Sequence, residues 1–236
     1  MTEAQSKGGA IVLPFIGTNN PHGGVTPSAS PPATHDTVVK RLGCVEYETV
    51  WREMQSFTAQ RNESAADEIW LVQHPPVYTV GVAGRAAHLP RTATGIPVVH
   101  IDRGGQITYH GPGQVIAYVL VDMKRKALGV RDLVRRLEQA VIDLLGDYGI
   151  ESARRVAAPG VYVGEAKVAA LGLRIRRSCS YHGLALNVDM DLSPFHAIDP
   201  CGFPGLAVTR LRDLGVDESA ERVAEKLAGH LLKVLG

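Results

Sequence analysis

The stretch RGGQITYHGPGQVIAYVLVDM, residues 103–123, joins a glycine-rich segment to a continuous apolar run. Its first twelve residues include four glycines and a proline, a composition that disfavours both a helix and an ordinary strand. The run that follows is rich in β-branched residues, which is typical of a strand buried on both faces. We therefore expect a loop that leads directly into a buried strand, with Arg103, Tyr109 and His110 pointing into a cleft.

Two interpretations of this glycine segment (residues 103–114) stay open at this point. Glycine permits positive φ and lets the backbone approach a ligand closely, which favours a loop that wraps a ligand. A phosphate loop is disfavoured because the G-x-x-x-x-G-K-[ST] spacing is missing and the segment leads into a strand rather than a helix. The composition is also compatible with a tight turn around a core histidine.

On either side of this segment, helix and strand patterns alternate. Apolar residues spaced three and four apart predict helices over residues 46–57, 130–150 and 218–235. Strands are predicted over residues 67–81, interrupted by Pro75 and Pro76, over a hairpin at 160–177 that turns near Gly164 and Glu165, and over 180–190. Residues 193–205 are irregular. The pattern indicates one α/β domain of the α+β type, a mixed sheet with flanking helices.

The first 37 residues differ in composition from the rest. They are dense in Pro, Gly, Ser and Thr and predict a disordered extension before a domain over residues 38–236. The apolar run at 10–16 only faintly imitates a signal peptide, since it is short, contains Pro14 and has Glu3 in its flank. No run reaches the roughly 18 apolar residues of a membrane span. We expect a cytoplasmic protein without a membrane partner.

Charge and cysteine content narrow the class further. The chain has 236 residues and a formal net charge of +1, which argues against nucleic acid as its main partner. Its three cysteines are odd in number and widely spaced, which suits a reducing compartment better than a disulfide framework. We expect a monomer.

Cys201 is the favoured nucleophile among the three cysteines. It lies in DPCGFPG, a segment too irregular for packed core, and a reactive cysteine needs access and a neighbour that promotes the thiolate. Cys179 is the second choice, and Cys44, just before the first helix, is expected to be a small buried residue. A zinc site built on Cys179, His182, His110 and Cys201 is conceivable, but a single C-x-x-H is a weak signal, and we expect no metal.

Lys167 stands among small and apolar residues in GEAKVAALGL. A lysine in such a place either extends its amine to water or is held near an anion. Beside a cysteine thiolate it would lower the thiol pKa. An exposed lysine of the hairpin is the alternative, and position alone does not decide between the two.

Five segments together resemble the octanoyltransferase family. They are QHPPVYTVGVAG (73–84), RGGQITYHGPGQ (103–114), KVAALGLRI (167–175), YHGLALNVDMDL (181–192) and DPCGFPGLAVT (199–209), in the order of that family. The resemblance implies an α/β domain like the catalytic domains of lipoate and biotin ligases. It also implies transfer of an octanoyl group from octanoyl-acyl carrier protein to a lipoyl-domain lysine through a cysteine thioester, with no cofactor.

The resemblance assigns roles to residues of this chain. It places the acyl-bearing cysteine at Cys201 and the lysine that lowers its pKa at Lys167. Lys167 would then serve as base for the incoming lysine, and His110 or backbone N–H groups near Cys201 and Gly202 would stabilise the oxyanion. Substrate contacts are implied for Arg103, Gly104, Gly105, Gln106, Ile107, Thr108, Tyr109 and His110, for Ala170, Leu171 and Gly172, and for Gly183, Leu184 and Ala185.

The implied acceptors are apo-lipoyl domains, namely those of 2-oxoacid dehydrogenase E2 subunits and the glycine cleavage H protein. The implied donor is acidic, so its docking site is expected among basic residues, unless these are only solvated surface charges. The candidates are Lys124, Arg125, Lys126, Arg154, Arg155, Arg174, Arg176 and Arg177.

The sequence departs from the pattern of the family at Asp199, where the family often has Asn. Its carboxylate would raise a nearby thiol pKa, so it should point away or pair with a cation.

The main alternative is an ATP-dependent ligase of the lipoate or biotin type. Those ligases resemble this chain in fold, but their glycine loop leads with paired arginines or a GRGRRG-like run, and they do not need the cysteine. This chain lacks that run and contains Pro-Cys-Gly. A non-catalytic binder of lipoyl domains would predict a disrupted Cys or Lys, whereas both are present.

Overall fold

The computed structural model describes residues 36–91, 94–156, 158–200 and 205–236. The predicted N-terminal extension, apart from its last two residues, and Cys201 and Gly202 lie outside these described residues. The strands in chain order are β1 (Val38–Cys44), β2 (Glu68–Gln73), β3 (Val77–Val80), β4 (Val98–His100), β5 (Ile107–His110), β6 (Gln114–Leu120), β7 (Ala153–Arg154), β8 (Gly160–Val163), β9 (Ala166–Arg176) and β10 (Cys179–Asn187). The helices are α1 (Tyr47–Gln60), α2 (Val130–Asp147) and α3 (Ala220–Leu235).

The strands form two sheets. Seven strands make the larger one, in the order β1-β2-β6-β10-β9-β8-β7, with β1 and β2 parallel and the other neighbours antiparallel. The smaller sheet has the order β4-β3-β5, with β3 parallel to β4 and antiparallel to β5. The prediction of a mixed sheet with flanking helices is confirmed.

The predicted buried strand is β6, and it is buried on both faces. Val115, Ala117 and Val119 pack in the core formed with α2 and α3, whereas Ile116 and Tyr118 pack in the core formed with α1. This alternation follows from the period of two along a strand. Each helix therefore covers one face of the larger sheet with its apolar side, as the spacing of its apolar residues predicts.

The structure differs from the sequence predictions in two ways. The glycine segment contains the short strand β5, whose residues pair with β3, because the four residues Ile107–His110 are free of glycine. The predicted second helix ends at Asp147 rather than residue 150, since the Ile150 N–H turns back to the Leu145 carbonyl at 2.9 Å. None of the described helices is long and apolar enough to cross a membrane.

Candidate active site

Two adjoining cavities lie against β5, β9 and β10. The narrow inner cavity, of about 50 Å³, is lined by Tyr47, Arg103, Gly105, Gln106, Ile107, Thr108, His110, Ile116, Tyr118, Ala170, Leu171, Gly172, His182, Gly183, Leu184 and Ala185. The outer cavity, of about 380 Å³, shares Gly105, Gln106, Leu171 and Gly172 with it and also includes Gly104 and Lys167. All the sequence-predicted substrate residues except Tyr109 therefore line one cavity or the other.

Strand register brings two of the predicted segments together. Strands β9 and β10 pair so that residue 170 faces 185, 171 faces 184 and 172 faces 183. Both glycines are required by close approach: a Cβ at Gly183 would lie 2.0 Å from the Ala117 carbonyl oxygen, and one at Gly172 would lie 2.9 Å from Arg103 Cδ. The missing side chain at Gly172 lets the glycine segment approach β9 closely, and the one at Gly183 lets β6 lie close beside β10.

Tyr109 is placed elsewhere, in contrast to the expectation that it points into the cleft. Its ring packs against Tyr78 and Phe195 in a separate apolar cluster. Its neighbours Thr108 and His110 line the inner cavity instead, because successive side chains of a strand point to opposite faces.

Lys167 is buried, with 4% of its surface exposed, so the alternative of an exposed hairpin lysine is wrong. Its Nζ donates to the Pro159 carbonyl at 3.2 Å and lies 5.2 Å from the centre of the Tyr162 ring. Its backbone N–H donates to the Ala207 carbonyl at 2.8 Å, and its carbonyl accepts from Thr209 N–H at 3.0 Å. The described chain that follows the DPCGFPG segment thus runs directly beside Lys167.

The cysteines and Asp199 have separate surroundings. Cys44 is exposed at the end of β1, so the expectation of a buried residue is wrong. Cys179 is buried, and burial raises its pKa, which disfavours it as a thiolate nucleophile. Asp199 accepts a hydrogen bond from Arg91 Nη1 at 2.9 Å, which confirms the prediction that its carboxylate pairs with a cation. Cys201 stays a prediction.

A buried hydrogen-bond chain begins at Arg103. Its Nη2 donates to the Thr79 hydroxyl at 2.9 Å, and that hydroxyl contacts His110 Nε2 at 3.2 Å. His110 Nδ1 contacts Gln114 Oε1 at 2.7 Å. Gln114 Nε2 donates to Asn187 Oδ1 at 2.9 Å, completing the interior part of the chain.

The chain then leaves the interior and reaches Lys167. Asn187 Nδ2 donates to the Thr209 carbonyl at 2.9 Å, and Thr209 N–H donates to the Lys167 carbonyl. The Arg103 guanidinium at one end can only donate, and the Thr209 carbonyl that Asn187 contacts can only accept. Every hydrogen bond between them must therefore have its donor on the side of Arg103. His110 therefore carries its proton on Nδ1, and its Nε2 accepts from Thr79.

This direction removes His110 as an oxyanion donor. Its single N–H donates to Gln114. Burial, and to a lesser extent the nearby His74, lowers the pKa of His110 to about 3, so the ring is neutral. These contacts disfavour the expectation that His110 stabilises an oxyanion. His110 lines the inner cavity as a buried, hydrogen-bonded histidine.

A second polar centre at the cavity, around Asp102, was missed by the sequence reasoning. Asp102 accepts from Trp51 Nε1 at 2.9 Å, from His182 Nε2 at 3.0 Å and from the Tyr181 hydroxyl. Burial alone would raise the pKa of Asp102, but these hydrogen bonds outweigh it and lower the pKa. The only sequence signal was an acid directly before the glycine segment.

The buried histidines predict a pH-dependent stability. Burial lowers the pKa of His74 to about 4 and that of His110 to about 3, against an ordinary value of 6.5. Below pH 6.5 the unfolded state binds more protons, so stability is fully present above pH 6.5 and is lost as pH falls toward 4. We expect a loss of roughly 2 kcal/mol per histidine at pH 5.

Urea unfolding at pH 7 and pH 5 measures this loss, with the His74→Gln variant as comparison. The variant should lose roughly a third to a half of the difference between the two pH values, because His74 is one of three buried histidines, with His110 and His182, whose pKa is lowered. An equal difference in variant and parent would contradict the assignment to His74.

Comparisons with known proteins show the family to which this chain is related. The Lipoyl protein ligase A/B catalytic domain family matches residues 46–232. Octanoyltransferases of Thiobacillus denitrificans and Azoarcus sp. are 62% and 60% identical to this chain over 198 residues, which is 84% of this chain and 90% and 87% of theirs.

Solved structures share the fold at low sequence identity. Lipoate-protein ligase A bound with ATP superposes with a TM-score of 0.69 at 15% identity, covering 85% of each chain. A biotin protein ligase from Aquifex aeolicus gives 0.54 at 14% identity, covering 85% of this chain and 70% of the ligase. The chain therefore belongs to the octanoyltransferase family, and it is an acyltransferase built on the lipoyl protein ligase A/B catalytic domain.

Proposed function

We propose that this chain transfers an octanoyl group from octanoyl-acyl carrier protein to a lysine of a lipoyl domain through a thioester on Cys201. The observation that carries the proposal is the pairing of β9 with β10. This pairing places the small residues of both strands beside the glycine segment, around cavities whose wall includes the buried Lys167. In this proposal the protein acts as a monomer in the cytoplasm and uses neither a metal nor a nucleotide cofactor.

The first half of the reaction is an exchange between two sulfur atoms. The Cys201 thiolate attacks the carbonyl carbon of the octanoyl thioester, a new C–S bond forms, and the carrier thiolate leaves and takes a proton. One thioester replaces another, so the step requires no ATP. Lys167 would favour the attacking thiolate by lowering the pKa of Cys201, because an adjacent cation stabilises the charged form.

The second half passes the acyl group to nitrogen. Once Cys201 is acylated, the anion beside Lys167 is gone, and Lys167 releases its proton to solvent. It then accepts one proton from the incoming ammonium group, and the resulting amine attacks the acyl carbon. As the C–S bond breaks and Cys201 leaves as the thiolate, the nitrogen gives its second proton to solvent, which leaves the neutral amide. Since His110 has no free N–H, backbone N–H groups near Cys201 and Gly202 are the proposed donors to the oxyanion.

The acyl tail is proposed to lie in the adjoining cavities. Ala170 and Gly172 on β9 and Ala185 on β10 present little side-chain bulk to this space. Leu171 and Leu184 supply apolar contact along it. A narrow, mostly apolar passage of this kind suits a straight hydrocarbon chain.

Docking of the carrier protein is proposed at Arg174 and Arg176. Five of the eight basic candidates already have partners within the chain: Arg125, Lys126, Arg154, Arg155 and Arg177. Arg174 and Arg176 are exposed on β9 and make no ion pair within the described part of the chain. Arg174 is two residues, about 7 Å, beyond Gly172 on the same face of the strand, next to the cavities.

Reversing both charges, with Arg174→Glu and Arg176→Glu, should raise the KM for octanoyl-acyl carrier protein about tenfold and weaken its salt dependence. Acylation by octanoyl-pantetheine, which has no carrier protein, should be unchanged. Steady-state kinetics with both donors measure the two effects. Arg52→Glu, a charge reversal on α1, is the matched control, and equal KM changes in control and test variants would refute the docking site.

The proposed function is tested by transfer without ATP. The enzyme is incubated with octanoyl-acyl carrier protein, an apo-lipoyl domain and a magnesium chelator, and the lipoyl domain is weighed by mass spectrometry. We expect octanoylation at one lysine. Transfer that occurs only from free octanoate with ATP and Mg²⁺ would instead make this chain a ligase.

A further inference from the structure

Asn187, the last residue of β10, connects the interior of the site to the chain beside Lys167. Its side chain is buried, with 5% of its surface exposed. Its oxygen accepts from Gln114 and its nitrogen donates to the Thr209 carbonyl, each at 2.9 Å. Both polar atoms of this one amide are therefore engaged with two different parts of the molecule.

We propose that Asn187 is a positioning residue that holds residues 207–209 against Lys167. The inference rests on the proposed function, in which Lys167 acts with Cys201, six residues before Ala207 in the chain. Within the described residues Asn187 acts on Lys167 through the backbone of Thr209.

Within the described structure, three hydrogen bonds hold residues 207–209: two to the backbone of Lys167 and one to Asn187. Val208 also packs against the apolar cluster that contains Tyr109 and Phe195, and Asn187 supplies the side-chain hydrogen bond in this set. The segment makes an isolated bridge with β9 at Val208 rather than a full strand. Removing the Asn187 amide takes away one of the three bonds and leaves Gln114 Nε2 with only its long hydrogen bond to the Tyr109 carbonyl, at 3.4 Å.

The direction of these hydrogen bonds explains why an amide is needed at position 187. The position must accept from Gln114 and donate to a carbonyl at the same time, and among uncharged side chains of this size only an amide does both with fixed geometry. Leucine has the same number and branching of side-chain heavy atoms and does neither. Asn187→Leu therefore removes both bonds without adding a charge, whereas aspartate would add one close to the proposed thiolate.

The test is the pH dependence of Cys201 alkylation by iodoacetamide in the full chain, followed by peptide mapping. In the unmodified protein we expect a midpoint below the ordinary thiol value near 8.5. In Asn187→Leu the midpoint should rise by about one pH unit, and octanoyl transfer at pH 7 should fall about tenfold, because the cation no longer lies close to the sulfur. Asn187→Ala should give the same shift and serves if the leucine variant does not fold.

Ser180→Ala is the matched control. Ser180 is also buried on β10 and donates to the Val119 carbonyl at 2.7 Å, but it is remote from Lys167 in the strand register. It should lower the melting temperature without moving the alkylation midpoint. An unmoved midpoint in both Asn187 variants would overturn the inference while leaving the proposed function intact. A midpoint near 8.5 in the unmodified protein would overturn the proposed function and this inference with it.

Discussion

Replacement of Cys201 by serine is expected to stop octanoyl transfer, with a fall in kcat of about 10⁴-fold or more. A serine hydroxyl is not ionised near neutral pH, and a neighbouring lysine cation does not make it an alkoxide, so no acyl-enzyme forms. Burst kinetics with octanoyl-acyl carrier protein measure this directly. The variant should show neither a burst nor steady turnover.

The other two cysteines provide matched controls for this prediction. Cys44→Ser changes an exposed thiol and Cys179→Ser a buried one, and neither residue lines the two cavities. Both variants should retain the burst. Loss of activity in Cys179→Ser together with full activity in Cys201→Ser would show that the nucleophile is Cys179.

Replacement of Lys167 by methionine is expected to slow transfer by about 10²–10⁴-fold, because both the cation beside the thiolate and the proposed base are lost. Methionine has a similar length and suits the buried site beside Tyr162, so the fold should persist. The rate constant of enzyme acylation, measured in single turnovers against pH, separates the two roles.

The sign of the pH effect follows from the thiol. In the unmodified protein the thiolate is present above a lowered pKa, so acylation should be nearly flat through neutral pH. In Lys167→Met the rate should rise about tenfold per pH unit up to about 8.5, the ordinary thiol value. Lys233→Met, at an exposed lysine of α3, is the control. An unchanged pH profile in Lys167→Met would contradict a role for Lys167 in ionising Cys201.

Much of the framework could be predicted from local patterns. Strand β6 is recognisable because its apolar run has no interruption, and α2 because its apolar residues recur at helical spacing. The sequence predicted that Asp199 pairs with a cation, since a carboxylate beside a reactive thiol needs one. It did not predict that this cation is Arg91.

The polar interior of the site was much harder to predict. Asn187 and Asp102 are single polar residues whose partners lie 22 to 80 residues away, so no local spacing marks them. Lys167 likewise lies beside residues 207–209, a segment distant in the sequence, and its place in the predicted hairpin did not indicate that it is buried. The side chains of Thr108 and Tyr109 point to opposite faces because both residues lie in strand β5. This strand was not predicted because the surrounding residues are rich in glycine.

The most direct test of the central claim is the intact mass of the enzyme after brief incubation with octanoyl-acyl carrier protein, without ATP, followed by peptide mapping. The proposed mechanism predicts a mass increase of one octanoyl group on the peptide that contains Cys201, discharged when an apo-lipoyl domain is added. Transfer to the lipoyl domain with no adduct on Cys201 at any time, under conditions that preserve thioesters, would contradict it.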